Sequence, residues 1–262
     1  MTRGLPISIF VITHNEADRL PTVLRAVAGM SDDIVVVDSG STDGTQDVAR
    51  TLGARVFHRD WTGYGAQKVF AESQCKHSWL LNLDADEEVT PELRREIEAT
   101  FARGEPAESA FELPVLPIYP FQGEGHVWTV YQWPVRLYRR EAAGFRDDPV
   151  HDSVVVRSGK VGRLSGLIVH RSFRSLAHHV DKINSYTTAQ SKKLHEAGRD
   201  PSVLALLLLP PLAFFKQYIL RRQFVNGIDG IVVAHMYAFQ RFLRIAKARE
   251  LARLARAKSP RS

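Results

Sequence analysis

Two carboxylates end an apolar run in the first third of the chain. Residues 79–83 are almost entirely apolar, and Asp84 and Asp86 follow with one small residue between them. Side chains alternate along an extended strand, so these two acids point to the same side. Carboxylate oxygens presented together at a strand end are suited to a divalent cation. An acidic turn before a helix has the same appearance, since residues 90–92 (Thr-Pro-Glu) make a good helix N-terminus. These residues alone leave both interpretations open.

The elements that position these acids are predicted by hydrophobic patterning. Strands that are apolar throughout, separated by short helical patterns, indicate a mostly parallel sheet with helices on both faces, which is an α/β fold. In such sheets ligands bind beyond the carboxyl ends of the strands. The predicted strands are residues 7–12, 34–37, 55–57 and 79–83, and the predicted helices are residues 20–27 and 45–52.

The second half of the chain has a different pattern. Short β-like pieces between residues 110 and 170 are expected to complete the first domain as a mixed β region. A helical pattern then begins near Leu176 and is ended by Gly198. We therefore expect a domain over residues 1–172 and a helical extension, both basic and apolar, over residues 173–262.

Two further polar clusters follow the first and second predicted strands. They are residues 13–16 (Thr-His-Asn-Glu) and residues 38–45 (Asp-Ser-Gly-Ser-Thr-Asp-Gly-Thr). Asp38 is well placed to accept hydrogen bonds from a nucleobase or ribose, and the small residues after it allow backbone amides to approach a ligand. Taken separately, the same residues are also compatible with an ordinary turn and a helix cap. Their shared position at one sheet edge favours a ligand site.

Composition limits the class of protein. A chain of 262 residues with 44% hydrophobic content has enough apolar surface for an ample core, which excludes global disorder. The single cysteine, Cys75, excludes an internal disulfide framework, and the interpretation of it as an ordinary packed residue is favoured over a reactive thiol. The first residues lead into a strand without a signal-peptide pattern, so a cytoplasmic location is expected.

The charge is concentrated near the C-terminus. Residues 216–262 contain eleven Lys or Arg against two acids, an excess of nine, while the whole chain has a net charge of +6. Residues 203–215 are apolar, but Pro210 and Pro211 are expected to break this run, and it is shorter than the roughly 20 residues that span a bilayer. Apolar and basic residues side by side are typical of a segment on an anionic membrane surface. The alternative is a helical hairpin packed on the protein's own core or on a second subunit.

Three motifs resemble those of the nucleotide-sugar domain of glycosyltransferase family 2, which has the GT-A fold. They are residues 12–16 (Ile-Thr-His-Asn-Glu), 36–45 (Val-Val-Asp-Ser-Gly-Ser-Thr-Asp-Gly-Thr) and 83–87 (Leu-Asp-Ala-Asp-Glu). Residues 61–68, 149–152 and 215–220 are similar to the lipopolysaccharide core branch, which includes bacterial β-glucosyltransferases. Residues 223–230 depart from the Gly-Phe-Leu-Asp-Gly-like stretch expected there, which bears on the acceptor more than on the reaction.

The resemblance implies a donor site and a metal site. Asp86 would ligate Mg²⁺ or Mn²⁺, and Asp84 would touch the ribose or a metal-bound water. Lys68, with Gln67, would lie on a Gly-rich loop and meet the donor pyrophosphate; a solvated surface lysine is the alternative. The remaining donor-binding residues implied for the nucleotide are Thr13, Asn15, Glu16, Asp38 and Ser39.

An inverting transfer also requires a base that takes the proton of the acceptor hydroxyl. The resemblance implies Asp152 for this role, and His151 would orient Asp152, bind a phosphate or act as the base itself. His170 is either an additional metal ligand or a structural histidine at a strand end. Four aromatic residues are expected to form an acceptor-stacking surface or to pack in the core: Tyr119, Trp128, Tyr131 and Trp133.

The sequence is thus interpreted as an inverting, metal-dependent glycosyltransferase at the inner face of the cytoplasmic membrane. Its donor would be a nucleotide sugar, and its acceptor a lipid-linked glycan such as the lipopolysaccharide inner core. The alternatives are a transferase for another envelope polysaccharide or lipid carrier, and an inactive module that binds membrane or nucleic acid. No nucleic-acid partner is expected. The haloacid-dehalogenase phosphohydrolases are disfavoured because they need Thr or Val where Glu88 stands.

Overall fold

The computed structural model describes residues 4–120, 122, 125–129, 132–147 and 153–258. The chain forms two compact units. The first contains Met1–Leu116 and Tyr131–His170, and the second contains Pro117–Val130 and Arg171–Ser262. The stretch between residues 117 and 130 therefore groups with the C-terminal helices.

The first unit contains twelve strands in its described residues. They are β1 (Leu5–Thr13), β2 (Ser31–Asp38), β3 (Arg55–His58), β4 (Trp79–Asp84), β5 (Glu87–Val89), β6 (Ala110–Glu112), β7 (Val115–Pro117), β8 (Val135–Arg139), β9 (Ala143–Gly144), β10 (Val155–Val156), β11 (Val161–Arg163) and β12 (Ile168–His170). Seven of them form a central sheet in the order β11-β6-β8-β4-β1-β2-β3. Only β8 runs antiparallel to its neighbours, so the sheet is mostly parallel, as predicted.

Four helices lie in the described part of this unit: α1 (Leu20–Ala26), α2 (Thr45–Thr51), α3 (Tyr64–Gln74) and α4 (Pro91–Phe101). Successive residues of the central strands enter different core clusters. Ile9 and Val36 pack in one cluster, while Phe10 and Val35 pack in the other. Alternate residues face opposite sides of a strand, so both faces of the sheet are buried. This is why the central residues of these strands are mostly apolar.

Helix α3 corrects the prediction of a Gly-rich loop at Gln67 and Lys68. The helix begins at Tyr64, directly after Gly63, whose φ of 128° is a conformation that favours glycine. Gly65 lies inside the helix although glycine is a poor helix former. The burial of Ala66 and Ala71 against the sheet outweighs that local preference.

The second unit is helical. After a 3₁₀ turn (Val127–Thr129) it contains α5 (Leu176–Glu196), α6 (Val203–Phe215), a π-helical turn (Lys216–Leu220), a 3₁₀ turn (Gln223–Asn226) and α7 (Gly227–Lys258). Helices α5 and α7 are joined by Lys247, whose Nζ donates to Asn184 O at 2.7 Å and Thr187 Oγ1 at 2.9 Å.

Pro210 and Pro211 do not interrupt the apolar helix, contrary to the sequence-based expectation. Each proline removes one backbone donor, but its φ is that of a helix, and the chain continues through the π-helical turn to Leu220. The resulting segment, Val203–Leu220, has 18 residues. Among the residues the structure describes, it is the one helical segment long and apolar enough to cross a membrane.

Candidate active site at the carboxyl edge of the sheet

The strand register brings the predicted polar clusters to one edge. Thr13 pairs with Asp38 across β1 and β2, and Ile12 pairs with Asp84 across β1 and β4. Because these strands are parallel, the polar residues that end them lie side by side. The three clusters are therefore adjacent at the edge where α/β sheets bind ligands.

Asp84 lies between two cations. Lys68 Nζ, on α3, donates to Asp84 Oδ1 at 3.0 Å, and Arg136 Nη2, on β8, donates to Asp84 Oδ2 at 3.2 Å. Burial by itself raises the pKa of Asp84, but the charges of Lys68 and Arg136 outweigh it and hold that pKa well below its ordinary value. Asp84 is therefore ionised and fixed in position. The Lys68 side chain is 1% exposed, so the alternative of a solvated lysine does not hold.

Asp86 is approached from the other side by Arg19 and His170. Arg19 Nη1 is 3.2 Å from Asp86 Oδ2, and His170 Nε2 is 3.2 Å from Asp86 Oδ1. Burial raises the pKa of Asp86, yet the hydrogen bond from His170 prevails and the pKa is lowered. For His170, burial lowers the pKa, but the bond to Asp86 prevails and raises it. The two side chains thus form an ion pair when His170 is protonated.

Arg136 and Glu87 contact the acidic cluster, but the sequence analysis gave neither of them a role, although Glu87 ends the third motif. Arg136 donates to Asn82 Oδ1 at 2.6 Å and to Glu87 Oε1 at 2.5 Å, in addition to Asp84. Glu87 Oε2 accepts the Asp84 backbone N–H at 3.0 Å. One signal was available in the sequence: Arg136 is a cation in a short apolar strand pattern, and a buried cation needs buried anions.

The loops after β1 and β2 are tied to each other. Asn15, at a φ of 55°, donates its backbone N–H to Ser41 Oγ and accepts from Thr42 N with its side chain. Asp38 is fully buried and accepts hydrogen bonds from Gly40 N, Ser41 N and Gln46 Nε2. In this structure the side chains of Asn15 and Asp38 hold the loops after β1 and β2 in position. A direct contact between Asp38 and a nucleobase stays a prediction.

The other predicted donor-binding residues have varied surroundings. Thr13 Oγ1 is buried without a hydrogen-bond partner, and Ser39 Oγ donates to the Thr13 carbonyl at 3.1 Å. Glu16 receives two hydrogen bonds of 2.7 Å from Arg19. Gln67 is buried and its amide donates to the Arg59 carbonyl at 2.8 Å. Gln67 therefore supports the chain before α3.

Three of the remaining predicted residues lie outside the part of the chain that the structure describes: His151, Asp152 and Tyr131. Tyr119 is buried and stacks on Phe173 with a ring-centroid distance of 5.9 Å, which is core packing. Trp128 and Trp133 are exposed but belong to different units.

A pocket of about 410 Å³ opens beside the acidic cluster. Its lining includes Asp84, Glu87, Arg136, Phe145 and His170. This volume lies within the usual range for small-molecule sites. The pocket is therefore large enough to hold part of a ligand against the ionised carboxylates.

The potential metal-ligating atoms at this edge are suited to a divalent cation. Asp84 and Asp86 supply carboxylate oxygens and His170 an imidazole nitrogen, a set that suits Mg²⁺ or Mn²⁺. Within the described part of the chain, no three His, Cys, Asp or Glu side chains already converge as a metal site. Here Arg19 and His170 provide the positive charge next to Asp86.

The fold and this edge are those of an α/β protein with a candidate ligand site in the loops after its parallel strands. The sequence model of Glycosyl transferase family 2 matches residues 8–111, which contain all three motifs. A relative from Rickettsia typhi described as an uncharacterized glycosyltransferase is 39% identical over 254 residues, covering 94% of this chain and 87% of the relative. The chain belongs to glycosyltransferase family 2, and it is a glycosyltransferase. The prediction of a GT-A fold is confirmed.

Two further similarities are more distant. The lipopolysaccharide core biosynthesis glycosyltransferase LpsC of Rhizobium meliloti is 29% identical over 257 residues, covering 94% of this chain and 93% of LpsC. A crystal structure of glucosyl-3-phosphoglycerate synthase from Mycobacterium tuberculosis with Mn²⁺ and UDP-glucose aligns with a TM-score of 0.44 and 17% identity. That alignment covers 76% of this chain and 81% of the synthase chain.

Proposed function

We propose that the protein transfers a sugar from a nucleotide-sugar donor to a lipid-linked glycan, with inversion at the anomeric carbon and with Mg²⁺ or Mn²⁺. The observation that carries the proposal is the His170–Asp86 pair, at 3.2 Å, next to a pocket whose lining includes Asp84 and His170, in a chain of family 2. Asp86 and His170 would hold the cation, with Asp84 assisting.

The departure of the nucleoside diphosphate is the step that the site must assist. A bound divalent cation stabilises the charge that develops on the leaving phosphates. Arg136 and Lys68 keep Asp84 ionised and fixed, and Glu87 accepts the Asp84 backbone N–H, so these contacts hold the acidic turn in place. Arg19 pairs with both Glu16 and Asp86, so a cation held by Asp86 would compete with its guanidinium for that carboxylate.

The attacking hydroxyl of the acceptor has to lose its proton. We assign this role to Asp152, with His151 to orient it or to replace it as the base. Both residues lie outside the described part of the chain. The support for this assignment is therefore the motif at residues 149–152 and the chemistry of the reaction. An inverting transfer needs a carboxylate or imidazole on the face of the sugar opposite to the leaving group.

The acceptor is proposed to be a lipid-linked glycan, with the lipopolysaccharide core as the first choice. The support is similarity to LpsC over nearly the whole chain, together with the basic and apolar C-terminal helices. Those helices would keep the enzyme at the cytoplasmic face of a membrane where such an acceptor is displayed. A different envelope glycan or lipid carrier would satisfy the same features.

The test is a panel of nucleotide sugars with Mg²⁺, Mn²⁺ or a chelator, and the measurement is release of nucleoside diphosphate. We expect turnover of at least one donor that depends on the cation. Asp86→Asn should lower the rate by about 100-fold or more, since it removes a charged ligand while keeping the side-chain shape. Asp47→Asn, an exposed carboxylate on α2, is the matched control and should retain the wild-type rate. Wild-type activity in Asp86→Asn, or no donor turned over by the wild type, would refute the proposal.

A further variant tests whether Asp152 acts as the base or contributes to donor binding. Asp152→Asn should abolish transfer to an acceptor and leave the dissociation constant of the donor nearly unchanged. A large loss of donor affinity would instead place Asp152 among the residues that contact the nucleotide or the cation.

A further inference from the structure

The apolar segment of the second unit exposes its apolar side chains and buries a polar one. Of the 18 residues in Val203–Leu220, one is buried, and that residue is Gln217. Gln223, in the following turn, is also buried. A water-soluble protein buries its leucines and exposes its glutamines. Proteins within a bilayer show the reverse, because polar groups turn toward other helices and apolar side chains face the lipid.

This segment is one arm of a hairpin. The chain reverses between Leu220 and Gly227, and the Phe214 and His235 rings meet at a centroid distance of 4.7 Å. The 3₁₀ turn packs closely on the start of α7, where a Cβ on Gly230 would lie 1.8 Å from the Gln223 carbonyl oxygen. We call residues 203–239 the apolar hairpin.

One side of α6 forms a continuous apolar face. Leucine, valine, phenylalanine and isoleucine side chains follow each other at helical spacing along it, and each is about half exposed or more: Val203, Leu204, Leu207, Leu208, Leu212, Phe215 and Ile219. Ile228 at the start of α7 is 79% exposed. An apolar face of this length is unusual on a monomeric soluble protein and indicates contact with another apolar phase.

Cations stand at both ends of the apolar hairpin. Arg221 and Arg222 occupy its turn. At the other end, Arg241 and Arg244 follow on α7, and Arg249 Nη1 donates to the Pro201 carbonyl just before α6. The hairpin itself contains one acid, Asp229. Apolar residues bracketed by arginines complement a bilayer with anionic headgroups, since the guanidinium groups reach the phosphates while the apolar face enters the acyl chains.

We propose that the outer face of the apolar hairpin is embedded in the hydrocarbon layer of a membrane that contains anionic lipid, with the flanking arginines on lipid phosphates. This deepens the membrane association in the proposed function, from attraction of a basic tail to insertion of a defined helix face. It needs neither donor nor cation, so its failure is distinguishable from failure of the transferase proposal.

The experiment uses a fluorophore at a single introduced thiol. Leu207→Cys carries an environment-sensitive label, and Thr51→Cys, on an exposed residue of α2, carries the same label as control. The native Cys75 is buried and does not compete. The full chain is mixed with phosphatidylcholine vesicles, with or without phosphatidylglycerol, that contain lipid nitroxides on the acyl chain or on the headgroup. We expect the label at position 207 to be quenched by acyl-chain nitroxides in anionic vesicles, and the label at position 51 to be unaffected.

A second, unlabelled variant tests the outer face of the apolar hairpin. The double variant Leu207→Glu with Phe215→Glu should reduce flotation with anionic vesicles by about tenfold or more, because a carboxylate is costly in hydrocarbon. Val180→Glu, on α5, should float as the wild type does. Quenching at position 207 by headgroup nitroxides alone would overturn insertion in favour of surface binding. An unquenched label, with a dimer that the double variant converts to monomers, would overturn it in favour of a second copy on this face.

Discussion

At the scale of single residues, the acidic edge is held together by opposite charges. Asp84, Asp86 and Glu87 are concentrated in one turn, and each is within hydrogen-bond or ion-pair distance of a basic side chain. Burial raises the pKa of Glu87, and the nearby guanidinium of Arg136 opposes this effect. Without its cationic partners, the turn would place like charges together in a poorly solvated site.

Arg136→Gln should therefore destabilise the fold by about 3 kcal/mol, because it leaves two carboxylates near each other without their shared cation. Arg95→Gln is the control. Arg95 is exposed, its ion pair with Glu92 lies on the surface, and its loss should cost at most about 1 kcal/mol. Urea unfolding of both variants measures the two free energies. Equal effects would mean that Arg136 does not hold the acidic turn together.

At the scale of elements, His170 depends on the position of a short strand. It ends β12, which is antiparallel to β5, and the register pairs His170 with Glu87. The approach to β12 passes closely over α4. A Cβ added to Gly166 would lie 2.3 Å from Leu93 Cα and 2.4 Å from Leu93 N. Glycine is thus required for β12 to reach the acidic turn.

Gly166→Ala should lower the free energy of unfolding by about 1–3 kcal/mol, since the helix backbone cannot make room as a flexible side chain can. It should also weaken cation binding by displacing His170. Gly144→Ala is the comparison, because its Cβ would meet the ends of the Arg157 and Glu72 side chains at 3.3 Å. The measurements are urea unfolding and calorimetric titration with Mn²⁺. A Gly166→Ala protein as stable as the wild type would show that α4 and β12 can separate at no cost.

At the scale of the whole molecule, the two units are stabilised by different kinds of interior. The first has apolar clusters on both faces of its sheet. The second buries polar groups, among them His179, whose ring stacks on Phe173 at 3.7 Å and whose Nδ1 has no hydrogen-bond partner. Burial lowers the pKa of His179 to about 4, and the charges of Lys182 and His178 act in the same direction.

Stability should consequently decrease as the solution becomes mildly acidic. His179 is neutral in the fold down to about pH 4 but protonates in the unfolded chain below its ordinary pKa of 6.5. The unfolded state binds more protons in that window, so lowering the pH from 7 to 5 should cost about 2 kcal/mol. Unfolding of wild type and His179→Phe at both pH values measures this difference. The His170 pKa is raised and acts in the opposite direction in both proteins, so a pH effect of equal size in the variant would exclude His179 as the source.

The polar residues at the strand ends could be predicted because neighbouring residues in the sequence define where each strand ends. An apolar run followed by acids places those acids at the end of a strand, and a parallel sheet gathers such ends at one edge. Asp84 and Asp86, and the loops containing Asn15 and Asp38, could therefore be placed from the sequence. The motifs in the same loops were sufficient to identify the family.

The partners of these residues required the tertiary structure. Arg136 follows Asp84 by 52 positions, and His170 meets Asp86 through a strand whose course depends on a glycine packed against α4. Composition likewise indicated that residues 203–215 were apolar, but not which side of the helix would face α7. Pairings between distant segments follow from which surfaces pack together, and hydrophobic period alone does not encode that choice. The sequence thus determined the family and the acidic edge, whereas the tertiary structure decided the ion pairs at that edge and the outward face of the leucines.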